Sequence, residues 1–510
     1  MKIVTNLTKR YDFVLGFIFF ITYKFFFTWL LWRGRGVPPE PDDSYFYLAS
    51  ASHLTSPQTF EEFRLLPFSV WLNILSIFTG GNLENAYHLN FYIGPVVMFL
   101  ALFYFLSKLE VSRIIRLFLI VILTLYSGSG AYHGFYWVVP SFYQLAVFFI
   151  IAGFLIQPKI VPFWKIFLAS LGFIFIHPTS ILISTIFFIF TAITILVKRE
   201  TATFKNSAKI AISLVISFAI YYLIGKSFPS SGSPQSFQSN LNLIAEFLQG
   251  KLEPVSLQVI MREYFAILFF HPISTIAYFS ALFLVYLSKQ FKLLVLYFST
   301  MALVMISSFI PYGSRTLAFL WPLTFMIIGY ATLELYRLMS KFTPQIKSLI
   351  VVPVLLLLVS ATTLNLISIK SINATNNYFW DRSCPQKVTG QKVGFHSHED
   401  SHAFILHGLE SGNSIFLTSD RLSGVTHNGA FIVEASQQTV PEEKLSAFEE
   451  FLTRNITRRT PKQIVDFGQN VWTQSSIDQE RLETKLREQN LKLRHTYDCG
   501  HFQVRQVIKL

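Results

Sequence analysis

The sequence predicts a polytopic α-helical membrane protein with a small α/β domain at its C-terminal end. Three observations predict it. The 510 residues are 52% hydrophobic and only 14% charged, with mean hydropathy +0.46, whereas soluble domains carry roughly a quarter charged residues. Apolar runs of about 20 residues, the length that crosses ~30 Å of hydrocarbon, recur along the first ~370 positions. From about Ser371 onward the apolar runs shorten and charges become frequent.

The runs predict about eleven spans, near 11–32, 87–107, 111–127, 135–157, 160–177, 179–197, 207–225, 263–287, 291–311, 316–338 and 347–369. The fifth and sixth share the corner His177-Pro178 and can equally be re-entrant. The first is too long for a signal-peptide core, and no small-residue cleavage site follows it, so it reads as a retained helix. Basic residues then orient the chain. Lys2, Lys9 and Arg10 precede the first span. Alternate connections carry Lys108, Arg113 and Arg116; Lys159 and Lys165; Lys198, Arg199, Lys205 and Lys209; Lys289 and Lys292; and Arg337, Lys341 and Lys347. This places the N-terminus in the cytoplasm and, with an odd span count, the C-terminal region outside. The net charge of +13 is then mainly a topology signal. Split among short loops, the basic residues form no single patch for nucleic acid.

Two outer segments are long. Residues 33–86 form the first external loop, opening with a Pro-rich breaker and a helical stretch from Asp43 to about His53. Glu61 to Phe78 follows, with Phe63, Leu66, Phe68, Trp71, Leu72, Leu75 and Phe78 on a greasy face; it reads as a helix lying in the membrane interface or as an ordinary core helix. Residues 226–262 hold a Ser/Pro/Gly run and a helix-like stretch, Leu241 to Leu248, and suit either a binding lid or a passive linker. The division is therefore a membrane module over 1–370 and an extracytoplasmic α/β domain over 371–510. In the latter, Ser414 to Thr418 and Ala430 to Val433 read as strands. Pro441 to Leu452 and Asp478 to Gln489 read as helices, and Arg494 to Val504 as a hairpin around Asp498-Cys499-Gly500. Cys384 and Cys499 both fall in this region, as one disulfide or as two thiols.

Candidate chemistry starts with Glu40-Pro41-Asp42-Asp43-Ser44-Tyr45-Phe46-Tyr47, just beyond the first span. Carboxylates are costly near a bilayer and are usually there for a reason. If a helix begins at Asp43, positions 43, 46/47 and 50 share one face, and Asp42 falls in line with His53. Such a carboxylate can accept a proton from a hydroxyl or hold a divalent cation; it can also simply cap the helix. Arg315, in Pro311-Tyr312-Gly313-Ser314-Arg315-Thr316, is a lone cation at the outer mouth of the tenth span. Its planar fork suits a phosphate; the alternative is a snorkelling side chain. His177, His271 and His133 sit near outer ends of spans and suit substrate contacts or, more simply, caps and core positions. No His-x-x-His or Cys-x-x-Cys spacing marks a metal site. Walker, dinucleotide-binding and Gly-x-Ser-x-Gly motifs are missing too.

The layout resembles the GT-C superfamily of integral-membrane glycosyltransferases. It has one span, a large first loop with an acidic motif (Glu40 to Tyr45), further spans, an Arg near a Pro-containing late span (Arg315 with Pro322) and an outer C-terminal domain. The resemblance implies a lipid-phosphate-sugar-dependent enzyme at the outer face of the cell membrane. It would take a polyprenyl-phosphate or diphosphate sugar as donor and a glycan, lipid or protein as acceptor. It implies Asp43 as base, Asp42 as alternate base or metal ligand, and Arg315 on the lipid phosphate. Glu40, Tyr45, Tyr47, His53, His177 and His271 would line the substrate, with a divalent cation as an open cofactor. The Trp-Trp-Asp motif of oligosaccharyltransferases is missing from the tail, where Val471-Trp472-Thr473 is no match, and the acidic pair differs from the Asp-Glu of protein O-mannosyltransferases. The rival readings are a transporter or flippase of lipid-linked sugars, which inverted repeats would favour, and a non-catalytic scaffold.

Overall fold

The computed structural model describes residues 2–32, 47–48, 51, 60–109, 111–125, 138–177, 179–197, 201–227, 255–269, 272–308, 313–339, 363, 393–395, 415–417, 431–435, 483–484, 486–499 and 502–510. The chain divides into two compact units. One comprises 1–28, 89–229 and 234–365; the other comprises 29–88, 230–233 and 366–510.

The helices, in chain order, are α1 (Lys2–Trp32), α2 (Phe60–Ile77), α3 (Leu83–Lys108), α4 (Arg113–Leu125), α5 (Pro140–Ile156), α6 (Phe163–Ile176), α7 (Ser180–Val197), α8 (Thr201–Lys226), α9 (Val255–Ile260), α10 (Ala266–Phe269), α11 (Pro272–Leu287), α12 (Phe291–Ser307) and α13 (Leu317–Met339). Among the described residues, four segments are long and apolar enough to cross a membrane: Tyr11–Leu30, Asn85–Lys108, Ala202–Lys226 and Gly313–Met339. They answer to expected spans one, two, seven and ten. The count of eleven is not reproduced among the described residues. The expected third span is described over α4, Arg113–Leu125. The expected eighth span contains a π-helical turn, Met261–Phe265, between α9 and α10, and α11 is described from Pro272. The expected eleventh lies almost wholly outside the described residues. The corner at 177–179 separates two discrete helices, α6 and α7.

Apolar faces explain how the first unit coheres. Phe13, Phe17, Phe20, Phe99 and Phe103 interlock between α1 and α3, several edge to face at 4.9–5.7 Å, the arrangement that ring quadrupoles favour. Other apolar side chains stay exposed in helical stripes, such as Ile276, Phe279, Phe283 and Tyr286 on α11 and Ile212, Val215 and Leu223 on α8. Such stripes suit a lipid solvent.

The polar groups of this unit gather at its two ends. At one end Arg116 Nη1 donates to Asp12 Oδ2 at 2.8 Å, tying α4 to α1. Tyr104 meets Phe154 near the end of α5. Lys292 Nζ donates to the Ile156 carbonyl at 3.0 Å and Lys209 Nζ to the Val161 carbonyl at 2.8 Å, while Asn206 bonds Phe154 O, Lys159 O and Val161 N. Lys292 and Asn206 thereby satisfy the Ile156 and Phe154 carbonyls in the last turn of α5, which no helical N–H reaches, and Lys209 and Asn206 tie down the connection that follows. The alternate basic connections predicted from the sequence thus share one end. At the opposite end, Asn90 Nδ2 donates to Val138 O at 2.6 Å and Tyr143 Oη to Asn90 Oδ1 at 2.5 Å.

In the second unit, Gly80 (φ 69°) and Gly81 (φ 85°) end α2 in left-handed conformations, with Gly81 N donating to Ser76 O. Asn82 Oδ1 caps α3 by accepting from Asn85 N at 2.8 Å. On α2, Phe63, Phe68, Leu72 and Leu75 are buried, whereas Val70, Ile74, Ile77 and Phe78 are exposed. Phe78 was expected beside the buried set; it falls just past the helix end. A five-stranded sheet runs in the order β2-β1-β3-β5-β4, built from β1 (Val393–Phe395), β2 (Ile415–Leu417), β3 (Phe431–Ala435), β4 (Leu491–Cys499) and β5 (Phe502–Lys509). β1 runs parallel to β2 and β3, and β5 antiparallel to β3 and β4. The two short predicted strands and the tail hairpin are therefore present. Residues 483–484 and 486–488 are helical, within the predicted 478–489. The predicted helix at 441–452 and Cys384 lie outside the described residues.

One stability prediction follows from the ion pair. With side chains only 15% and 11% exposed, Arg116→Ala leaves Asp12 buried without its partner and should cost about 3 kcal/mol, read as a lowered unfolding midpoint in detergent. The double variant Asp12→Asn/Arg116→Met should recover most of that loss.

Candidate functional site

The polar end opposite the lysines holds a cleft lined by Ser141, Phe142, Gln144, Leu145, Thr179, Arg315, Ala318 and Phe319. Three elements converge on it. α5 begins at Pro140 in the first-turn position, where its missing N–H costs nothing, and presents Ser141 and Gln144. The α6–α7 corner presents Thr179. A 3₁₀ turn, Gly313–Thr316, leads straight into α13 and carries Arg315.

The turn is held by local bonds. Ser307 Oγ lies 2.9 Å from Thr316 Oγ1, and both hydroxyls reach the Gly313 carbonyl, at 3.1 and 2.7 Å. A Cβ on Gly313 would come within 1.7 Å of the Ser307 carbonyl oxygen. Only glycine permits this approach of the turn to the end of α12. Arg315 is thereby aimed by backbone, and it is partly buried.

The opposite wall is a chain of hydrogen bonds. Gln144 is fully buried. Its Nε2 donates to Ser180 Oγ at 2.9 Å, and its Oε1 accepts from Thr179 Oγ1 at 3.1 Å. Ser180 Oγ in turn donates to the carbonyls of Phe173 and His177. Thr179 Oγ1 sits 2.7 Å from His177 Nδ1, with the Thr179 amide at 3.3 Å from the same nitrogen. Arg315 thus supplies fixed positive charge, and Ser141, Gln144 and Thr179 supply neutral polar groups around it. A guanidinium beside neutral hydrogen-bonding groups is an arrangement chemically suited to an oxyanion.

Of the residues singled out in the sequence, Arg315 lies at the cleft, and His177 reaches its wall through Thr179. Tyr47 is buried, its ring 5.0 Å edge-on to Phe68 of α2, which is a packing position. Asp42, Asp43, Glu40, Tyr45, His53, His133 and His271 lie outside the described residues. Among the described residues no group of three or more His, Cys, Asp or Glu side chains is placed to hold a metal. Sequence reading passed over Gln144, Ser141, Thr179 and Gly313. Gln144 had a signal: it is the one amide in the apolar stretch 140–156, where an unbonded polar group is costly.

No protein-family model matches the sequence, and a search of curated proteins finds no relative. In structure the chain is similar to the archaeal oligosaccharyltransferase AglB from Archaeoglobus fulgidus, solved in complex with an inhibitory peptide and a dolichol-phosphate. The TM-score is 0.51 and the identity 10%, over 87% of this chain and 71% of that chain. At such identity the likeness is one of fold, and it is the fold that the GT-C resemblance implied.

The turn geometry yields a second prediction. Gly313→Ala should force the 3₁₀ turn off the end of α12, at an overpacking cost of about 1–3 kcal/mol, read as a lowered unfolding midpoint in detergent. An unchanged midpoint would show that the turn accommodates a side chain at this position.

Proposed function

We propose that this protein is a membrane glycosyltransferase that moves a sugar from a polyprenyl-phosphate or diphosphate donor to an acceptor hydroxyl at the outer face of the membrane. The observation that carries the reading is Arg315 in a polar cleft at the end of the helical unit opposite its lysines, in a fold like that of an oligosaccharyltransferase. By the positive-inside rule the lysine end faces the cytoplasm, so the cleft opens outward, at the depth of a lipid headgroup. Residues 371–510 serve as an extracytoplasmic α/β domain.

In the reaction, the acceptor oxygen attacks the anomeric carbon while its proton passes to a carboxylate of the first external loop. Asp43 is the assigned base, with Asp42 as its alternate or as a ligand for a divalent cation. The bond from the anomeric carbon to the phosphate oxygen breaks, and the lipid phosphate leaves with that electron pair. Arg315 meets the charge that develops there, in surroundings poor in water, where a fixed donor is worth most. Losing one such contact typically costs about 2.7–4 kcal/mol in the barrier.

Two measurements test this. With purified protein and a labelled polyprenyl-phosphate sugar, Asp43→Asn should abolish product while the protein stays inserted and folded, and Arg315→Ala should cut donor use by about a hundredfold or more. Full activity in Asp43→Asn removes that residue from the mechanism. For orientation, a cysteine at Ser141 should react with an impermeant maleimide added to intact cells, and a cysteine at Lys159 only after permeabilisation. The reverse pattern turns the cleft to the cytoplasm and ends the outer-face reading.

A further inference from the structure

We propose that Gln144 is a second anion-recognising residue of the Arg315 cleft, donating an amide hydrogen to a phosphate oxygen of the lipid donor; this rests on the glycosyltransferase reading above. The argument is one of hydrogen-bond accounting. Ser180 Oγ has a single proton, and its two other close neighbours, the carbonyls of Phe173 and His177, can only accept it. Ser180 therefore cannot donate to Gln144, and Gln144 must turn its NH₂ group toward Ser180, at 2.9 Å. That fixes Oε1 toward Thr179 Oγ1 at 3.1 Å, and the Thr179 hydroxyl donates to it in the tautomer whose His177 Nδ1–H donates to Thr179 in turn. The amide is locked, with its oxygen engaged.

An NH₂ group carries two hydrogens. Ser180 takes one. The second has no partner among the described residues, although Gln144 is fully buried and lines the cleft beside Arg315. A buried donor left unmet costs about 1–3 kcal/mol, so a site that keeps one gains by meeting an acceptor there. The acceptor has to suit Arg315 as well, which selects an oxyanion with more than one exposed oxygen. A phosphate ester on a lipid fits, because the cleft sits at the end of apolar helices. Gln144 adds a donor without adding charge, and the hydrogen-bond chain to Thr179 and Ser180 holds it ready before the ligand arrives.

The test compares binding of a short-chain isoprenyl phosphate and the matching isoprenol to the full-length protein in detergent. Four proteins are used: wild type, Gln144→Leu, Gln144→Glu and Arg315→Ala. The wild type should prefer the phosphate strongly. Gln144→Leu should lose about tenfold of that preference, and Gln144→Glu more, because a carboxylate beside Arg315 repels the anion. Isoprenol binding should change little in either, a separation that a merely structural role would not give. Gln144→Glu keeps polarity at the site, so it serves if the leucine variant fails to fold. If both folded Gln144 variants keep the wild-type preference while Arg315→Ala loses it, Gln144 does not touch the phosphate and the glycosyltransferase reading stands. If Arg315→Ala also keeps the preference, the cleft is not the phosphate site and both ideas fall.

Discussion

A polar group inside an apolar bundle has no water to turn to, and this constraint organises the molecule. Each hydroxyl, amide or charge among the spans must bond within the protein or sit at an end of the bundle. Many serine and threonine hydroxyls comply locally. Thr124, Ser184, Thr191, Ser299, Thr300 and Thr324 each donate to the carbonyl one turn back. Deeper groups pool their needs: Tyr264 bonds both Tyr297 and Thr324, at 2.7 and 2.8 Å, and Tyr297 also meets Tyr278. This buried cluster holds the π-helical turn against α12 and α13. Ser170, Ser213 and Ser217 are exceptions, buried with no hydrogen-bond partner among the described residues, and the two ends of the unit differ in chemistry.

That difference gives the cleft its character. At the lysine end, Lys292 donates to the last carbonyl of α5 and Lys209 to a carbonyl of the α5–α6 connection, so both ammonium groups serve the fold. At the other end, the bonds among Gln144, Thr179, Ser180 and His177 serve the α6–α7 corner and leave Arg315 on an independent turn. The turn itself depends on Gly313 and on two hydroxyls, Ser307 and Thr316, that never reach the cleft. The site is therefore precise for reasons that lie behind it.

Much of this was legible in the sequence because hydrophobic runs and basic loops report directly on the surrounding medium. The four long apolar helices, the shared end of the basic connections and the terminal hairpin all follow from composition and spacing. Pairings between spans were less legible. The run 111–127 carries Arg116, which meets Asp12 of α1 from 104 positions away, and hydropathy does not record such a pair. The run 263–287 hides a π turn set by the Tyr264 hydrogen bonds, which join residues up to 60 positions apart. The same holds for the cleft. Arg315 stood out as an isolated cation, whereas Gln144 and Thr179 acquire meaning only when folding brings α5 to the α6–α7 corner, 35 residues away in sequence.

A cleft with Arg315 among neutral donors also bears on turnover. The group released from a lipid-phosphate donor is itself a phosphate anion, and an enzyme that grips it as tightly after reaction as during it gains nothing in rate. In the proposed reaction the phosphate gains negative charge on release, which tightens a charge pair more than a neutral hydrogen bond, so Gln144 holds the product less strongly than a second cation would. Bond cleavage moves negative charge onto the leaving oxygen, and a guanidinium held by its backbone responds to that change without reorganising. On the proposed reading, the fixed turn at Gly313 and the charge-neutral wall at Gln144 act in the same direction: one presents a cation to the developing charge, and the other adds no second cation to retain the product.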